Sequence, residues 1–203
     1  MGRLGNRLLT VGVVLAAGSS RRMGFPKAAL TLDGRSLVMR AADRLASGGC
    51  DRVLVVVSAP EVAELVEAPI DVVWNPRPET GMLGSLRSAL HWAGPGNSFV
   101  FTPVDLPGLS SRIVSNVIAG IEPETVVRPS CEGRRGHPVG FGPVVAERLR
   151  VPGDESERLD AALRRCGAVD VDLPTSDSGV LRDVDTPEQW RDWLEWVRLE
   201  ETR

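Results

Sequence analysis

Tyrosine is absent from this 203-residue chain, histidine occurs twice, and a single lysine stands against 23 arginines. With only His91 and His137 present, few side chains can do acid–base work near neutral pH. Cysteine is scarce and odd in number. Cys50, Cys131 and Cys166 are scattered without a Cys-x-x-Cys pair, which argues against a disulfide framework and a zinc site and predicts a reduced, cytoplasmic setting. No apolar run approaches the roughly 20 residues a bilayer span requires. Residues 1–10 carry Arg3 and Arg7 but no long apolar stretch with a cleavage site, so neither a signal segment nor a membrane partner is expected. The net charge of −3 lacks the positive excess of a general nucleic-acid binder.

What remains is ordinary globular material, 42% hydrophobic and 25% charged, enough for one domain over residues 1–203. Residues 8–16 are β-branched and apolar and read as a buried strand. Residues 36–47 repeat apolar side chains at helical spacing and stop at Gly48-Gly49. The unbroken run at 53–57 is typical of a central parallel strand covered on both faces. Strands at 70–74 and 98–102 and helices at 60–68, 82–92 and 110–120 continue the alternation. The second half adds strands at 125–129 and 138–141 around an excursion rich in Gly and Arg, helices at 144–150 and 156–166, and late strands at 169–173 and 179–183. Thr186, Pro187 and Gln189 open a final helix with a capping box, whose Trp190, Trp193, Leu194 and Val197 face the body. The rhythm predicts a three-layer, doubly wound α/β domain with a mostly parallel sheet and a small β excursion.

In such sheets, ligands sit beyond the carboxyl ends of the strands. Three polar, irregular loops should share that crevice, at 18–27, 75–81 and 103–109. The first fits neither G-x-x-x-x-G-K-[ST] nor G-x-G-x-x-G. Its small residues Ala17, Gly18, Ser19 and Ser20 let backbone N–H groups approach a polyphosphate, and Arg22 and Lys27 add charge. Lysine there is informative because ammonium is a compact point charge while guanidinium is a planar fork. The same residues also suit a solvated surface loop. Asp105 follows a buried strand between Pro103 and Pro107, and its carboxylate suits a hard cation or an ordinary turn. Asp183 and Asp185 alternate at the end of the late strand and should point to one side of the backbone, while an acidic residue beside the last helix also favours the helix start. His91 reads as structural or surface. His137 lies in a loop after Arg134-Arg135-Gly136.

The segment Leu15-Ala16-Ala17-Gly18-Ser19-Ser20-Arg21-Arg22-Met23-Gly24-Phe25-Pro26-Lys27 resembles the opening motif of MobA-like nucleotidyltransferases, most nearly the molybdenum cofactor cytidylyltransferases. The resemblance continues through Asn75-Pro76, Gly81 with Ser85-Leu86, Thr102-Pro103-Val104-Asp105-Leu106-Pro107, Arg135-Gly136-His137-Pro138 and Leu181-Arg182-Asp183-Val184-Asp185-Thr186-Pro187, in the family's order. It implies a Rossmann-like nucleotidyltransferase fold and transfer of a nucleoside monophosphate to an acceptor phosphate with release of pyrophosphate. It further implies Mg²⁺ on Asp105 and Asp185, with Asp183 a weaker third. Arg22 and Lys27 would hold the leaving phosphates. Leu15, Ala16, Ala17, Gly18, Ser19, Ser20, Asn75, Gly81 and Ser85 would line the nucleotide, and His137 the acceptor.

Ala17, where guanylyltransferase relatives more often carry Gly, favours CTP. The implied acceptor is molybdopterin and the implied client a molybdoenzyme. The chain departs from the cytidylyltransferase pattern at Leu83 and Gly84, where Ser is usual, and after Gly153-Asp154, which leads into Glu155-Ser156-Glu157-Arg158. Those departures leave open another small phosphate acceptor (a sugar, a polyol or a phospho-organic acid) or GTP. A non-catalytic nucleotide-binding partner of a molybdoenzyme is the alternative of a different class.

Overall fold

The computed structural model describes residues 9–18, 23–154 and 157–201. Strand β1 (Thr10–Leu15) leads into the first loop, and a two-residue Asp33-Gly34 turn, both residues at positive φ, joins β2 (Thr31–Leu32) to β3 (Arg35–Ser36). There follow α1 (Leu37–Ser47), β4 (Arg52–Val57), α2 (Pro60–Ala63), β5 (Asp71–Trp74), α3 (Gly81–Ala93), β6 (Ser98–Pro103) and α4 (Ser111–Ala119). The second half holds β7 (Thr125–Cys131), β8 (Arg134–Arg135), β9 (Val139–Phe141), α5 (Pro143–Arg150), α6 (Leu159–Arg165), β10 (Val169–Pro174) and α7 (Pro187–Glu201).

The main sheet runs β10-β7-β9-β6-β1-β4-β5, with β8 paired to β7. β1 is parallel to β4 and β6, β4 to β5, and β7 to β10, while β9 is antiparallel to both neighbours. The sheet is therefore mixed but mostly parallel. Period-2 alternation divides the core. Val11, Val13 and Leu15 pack beneath α3, α5 and α6, whereas Val14, Val55 and Val57 pack beneath α1 and α4. These are the three layers the sequence predicts.

Three assignments need correction. The helix expected over 60–68 ends at Ala63 and runs on as tighter turns, Leu65 N donating to Val62 O and Val66 N to Ala63 O; Ala68, before Pro69, is itself disfavoured in helical conformation. The strand expected over 179–183 is a 3₁₀ turn, Ser178–Leu181, capped by the Asp177 side chain accepting from Gly179 N at 2.9 Å. The helix expected over 156–166 is Leu159–Arg165; its predicted first residue, Ser156, lies outside the described residues, as does Leu8. At α7 the capping box forms: Thr186 Oγ1 accepts from Gln189 N, and Gln189 Oε1 accepts from Thr186 N and Asp185 N. Trp193 is buried and stacks on Trp190 with centroids 5.4 Å apart; the Val197 side chain lies outside the described residues.

Candidate active site

Four backbone hydrogen bonds tie together the chain at the carboxyl ends of β1, β4, β5 and β6. Ala16 N donates to Val56 O, Asn75 N to Val57 O, Val104 N to Leu15 O, and Val184 N to Asp105 O at 2.8 Å. The last of these links the loop after β6 to the segment that enters α7. Asp105 and Asp185 consequently face one point, and Lys27 occupies it. Lys27 Nζ donates to Asp105 Oδ2 at 2.9 Å and also to Asp185 Oδ1. Lys27 is one of the few buried charged residues, at 8% exposure, carried in by the 3₁₀ turn Lys27–Ala29 behind Pro26. Burial opposes the charged ammonium, but the hydrogen bonds to Asp185 and Asp105 outweigh it, and the Lys27 pKa is raised. Asp183 is exposed, and the late strand expected to set it alongside Asp185 is replaced by the turn Ser178–Leu181.

Leu15, Ala16 and Ala17 are buried at the end of β1, and the Ala17 carbonyl accepts from Ser58 Oγ at 3.0 Å. Gly18 is exposed, and a Cβ there would meet nothing within 4 Å. Ser19, Ser20 and Arg22 lie outside the described residues.

The loop at 75–81 is held by a buried relay. Asn75 Nδ2 donates to Ser85 Oγ at 3.0 Å, Ser85 Oγ donates to Gly81 O at 3.2 Å, and Asn75 Oδ1 accepts from Arg77 N at 2.9 Å. Gly81 has φ 68° and ψ −152°, a conformation open to glycine and costly for other residues. The structure thus brings Asn75, Gly81 and Ser85 together, with the Asn75 and Ser85 side chains bonded to each other. The departures at Leu83 and Gly84 have a packing reason. Leu83 is core, and a Cβ on Gly84 would lie 1.7 Å from Thr80 Oγ1.

Next to Gly81 opens a cavity of about 820 Å³, within the size range of small-molecule sites. Phe101, Leu83 and Val139 floor it, while His137, Arg128 and Arg135 line its polar side. His137 packs edge-on against Phe101 at 5.7 Å and its Nδ1 is buried without a hydrogen-bond partner. Desolvation lowers its pKa to about 4, against the attraction of Asp105, so the imidazole is neutral at physiological pH. Sequence reasoning missed Arg128. Its guanidinium pairs with Asp170 at 2.7 Å and Asp160 at 3.7 Å inside this cavity. A lone charge in the apolar stretch Val126-Val127-Arg128 was the signal. His91 is exposed on α3, away from the carboxylates, with Nδ1 2.8 Å from Arg87 O.

No helix among the described residues is long and apolar enough to cross a membrane. Among them, too, no group of three or more His, Cys, Asp or Glu is arranged to hold a metal ion. Asp105 and Asp185 are two hard-oxygen donors converging on one cation. They suit a divalent ion that takes its remaining ligands from phosphate and water.

A family model described as "MobA-like NTP transferase domain" matches residues 12–169. Nicotine blue oxidoreductase of Paenarthrobacter nicotinovorans is 34% identical, the match covering 88% of this chain and 93% of that protein. Molybdenum cofactor guanylyltransferase of Xanthomonas euvesicatoria pv. vesicatoria (strain 85-10) is 31% identical, covering 88% and 91%. Among solved structures, Rv0371c of Mycobacterium tuberculosis H37Rv superposes with TM-score 0.76 at 27% identity, covering 93% of this chain and 98% of that one. A complex of the same protein with manganese superposes with TM-score 0.70 at 25% identity, covering 92% and 98%.

Proposed function

The chain belongs to the MobA-like NTP transferase domain family and is a nucleotidyltransferase of that group, and from that premise we propose that it moves CMP from CTP onto the phosphate of molybdopterin. The observation that carries this reading is the convergence of Lys27, Asp105 and Asp185 at the carboxyl ends of the parallel strands. An acceptor phosphate oxygen attacks the α-phosphorus; the bond to the β-phosphate oxygen breaks and pyrophosphate leaves. The acceptor is already anionic, so positioning and charge neutralisation do most of the work. That agrees with a site whose only nearby imidazole is neutral.

Asp105 and Asp185 would hold Mg²⁺, which supplies charge neutralisation at the α-phosphate. The manganese complex of the Mycobacterium protein supports a divalent ion in this family. Lys27, Arg22 and the amides of 15–20 would hold the leaving phosphates. Asn75, Gly81 and Ser85 would set the base and ribose slot, and the cavity beside His137 would take the acceptor. Ala17, where guanylyltransferase relatives more often carry Gly, supports CTP; it is buried at the end of β1, in the same apolar cluster as Leu83. A guanylyltransferase name among the relatives makes GTP the competing donor.

Pyrophosphate release with each of the four triphosphates and molybdopterin tests the proposal. Turnover with CTP at least about tenfold above GTP is the expected result. Preference for GTP would overturn the donor, and turnover only with a sugar or polyol phosphate would overturn the acceptor. The oxidoreductase name of the 34%-identical relative carries a second reading. Redox turnover of nicotine blue, the compound in that relative's name, with no pyrophosphate release from any triphosphate would put that reading in place of transfer.

A further inference from the structure

We propose that Lys27 and a divalent ion take the same oxygens of Asp105 and Asp185 in alternation, so that the carboxylate pair accepts its metal together with the triphosphate and resists it beforehand. The inference takes the triphosphate from the transfer reading above; its geometry is independent of that reading. One ammonium donates to Oδ2 of Asp105 at 2.9 Å and to Oδ1 of Asp185, on side chains that are 10%, 24% and 24% exposed. These are the very atoms a hard cation needs.

The pair is held in place by backbone. Val184 N donates to Asp105 O, and Asp185 N is fixed by Gln189 Oε1 at the start of α7. Lys27 reaches the two oxygens on a four-carbon stem, whereas each carboxylate stands one methylene from its backbone. The movable partner is therefore the lysine. A divalent ion and an ammonium on the same two oxygens repel at a distance where partly buried charges are weakly screened. One of them has to leave.

A triphosphate resolves the conflict by offering the ammonium a second set of anionic oxygens while bringing phosphate ligands to the metal. Lysine suits this exchange because its three donors rotate on a flexible stem; a guanidinium fork locks onto carboxylate in one plane. Removing the ammonium leaves two partly buried carboxylates without this counter-charge, and such a pair takes up a cation more tightly.

Mn²⁺ binding without nucleotide, followed by loss of the free-ion electron paramagnetic resonance signal, tests this. Lys27→Met should bind Mn²⁺ at least about tenfold more tightly than wild type, and Lys27→Met/Asp105→Asn should lose that gain. Equal or weaker binding by Lys27→Met overturns the proposal, and so does a gain that survives the Asp105 change. Thermal melts establish that each variant is folded. A second measurement needs no variant of Lys27, because it is the only lysine in the chain. Reductive methylation of its ε-amine, read by peptide mass spectrometry, should speed up several-fold in saturating Mg²⁺ and not do so in Asp105→Asn; a rate indifferent to Mg²⁺ overturns the proposal. Failure of either measurement leaves pyrophosphate release by the wild type untouched, and absence of pyrophosphate release leaves the metal–lysine exchange standing.

Discussion

Gly108 and Gly179 meet backbone to backbone. A Cβ built on Gly108 would lie 2.9 Å from Gly179 Cα, and one on Gly179 would lie 2.7 Å from Gly108 O. Gly108 lies in the turn Leu106–Leu109 that follows Asp105, and Gly179 lies in the 3₁₀ turn six residues before Asp185. The contact and the Val184–Asp105 hydrogen bond both join the loop after β6 to the segment that carries Asp185. Both glycines are needed for close approach.

Gly179→Ala should therefore damage the site more than the fold. Its methyl meets a carbonyl oxygen and part of the Asp177 carboxylate at 2.9 Å, so the 177–185 segment must shift outward. Overpacking of this kind costs about 1–3 kcal/mol. Pyrophosphate release should fall by about two orders of magnitude, since misplacement of a reacting group by about 1 Å has that effect. A calorimetric melt alongside the assay separates the two effects, and normal turnover would show that the spacing of Asp105 and Asp185 is set elsewhere.

Asp105→Asn keeps the shape of the side chain and removes its charge. Turnover should drop by about 10³-fold, the scale seen when a preorganised electrostatic group is lost, with the melting temperature changed by only a few degrees. Lys27 retains its bond to Asp185 in this variant, so the loop at 26–29 stays anchored. Initial rates at saturating triphosphate and Mg²⁺ check the expectation; near-normal rates would remove Asp105 from the metal site.

Long-run periodicity made most of the fold legible. The unbroken Val53-Leu54-Val55-Val56-Val57 run lies in β4, an interior strand between β1 and β5, and the Thr186–Gln189 capping box marks the start of α7. The two-residue strands β2 and β3 carry too little pattern to be read, and 179–183, read as a strand, instead begins in a 3₁₀ turn in which Gly179 lies against Gly108. At the site, motif order along the chain was enough to name Lys27, Asp105 and Asp185. It held no sign that the lysine would bridge the two aspartates, since the three residues are separated by 78 and 158 positions. The Asn75–Ser85 bond was equally hidden: both residues were read as lining the nucleotide, and their mutual contact appears only in three dimensions.

Lys27→Arg conserves charge and changes shape. A guanidinium in place of the buried ammonium has to fit its planar fork between Asp105 and Asp185 and would hold them too firmly to release. kcat/KM for the triphosphate should fall at least about 100-fold, comparable with Lys27→Met, although the net charge is unchanged. Steady-state kinetics of the two variants side by side decide it. Arginine activity close to wild type would mean that the chain's one lysine has no special role.

His137 gives the protein a stability term that depends on pH in a definite direction. Burial lowers its pKa from 6.5 to about 4 in the folded state, while the unfolded chain keeps the ordinary value. Below pH 6.5 the unfolded state binds the proton more readily, so stability linked to His137 is complete above that pH and is lost as the pH falls toward 4. Carboxylates titrate over the same interval, and a His137→Gln comparison removes their contribution. Between pH 7 and pH 4 the wild type should lose about 3 kcal/mol more stability than the variant, measured by urea unfolding at each pH. Parallel losses in the two proteins would mean that the imidazole reaches water or a proton-accepting partner, and the cavity beside Gly81 would then lack the dry, neutral side chain that its edge-on packing against Phe101 requires.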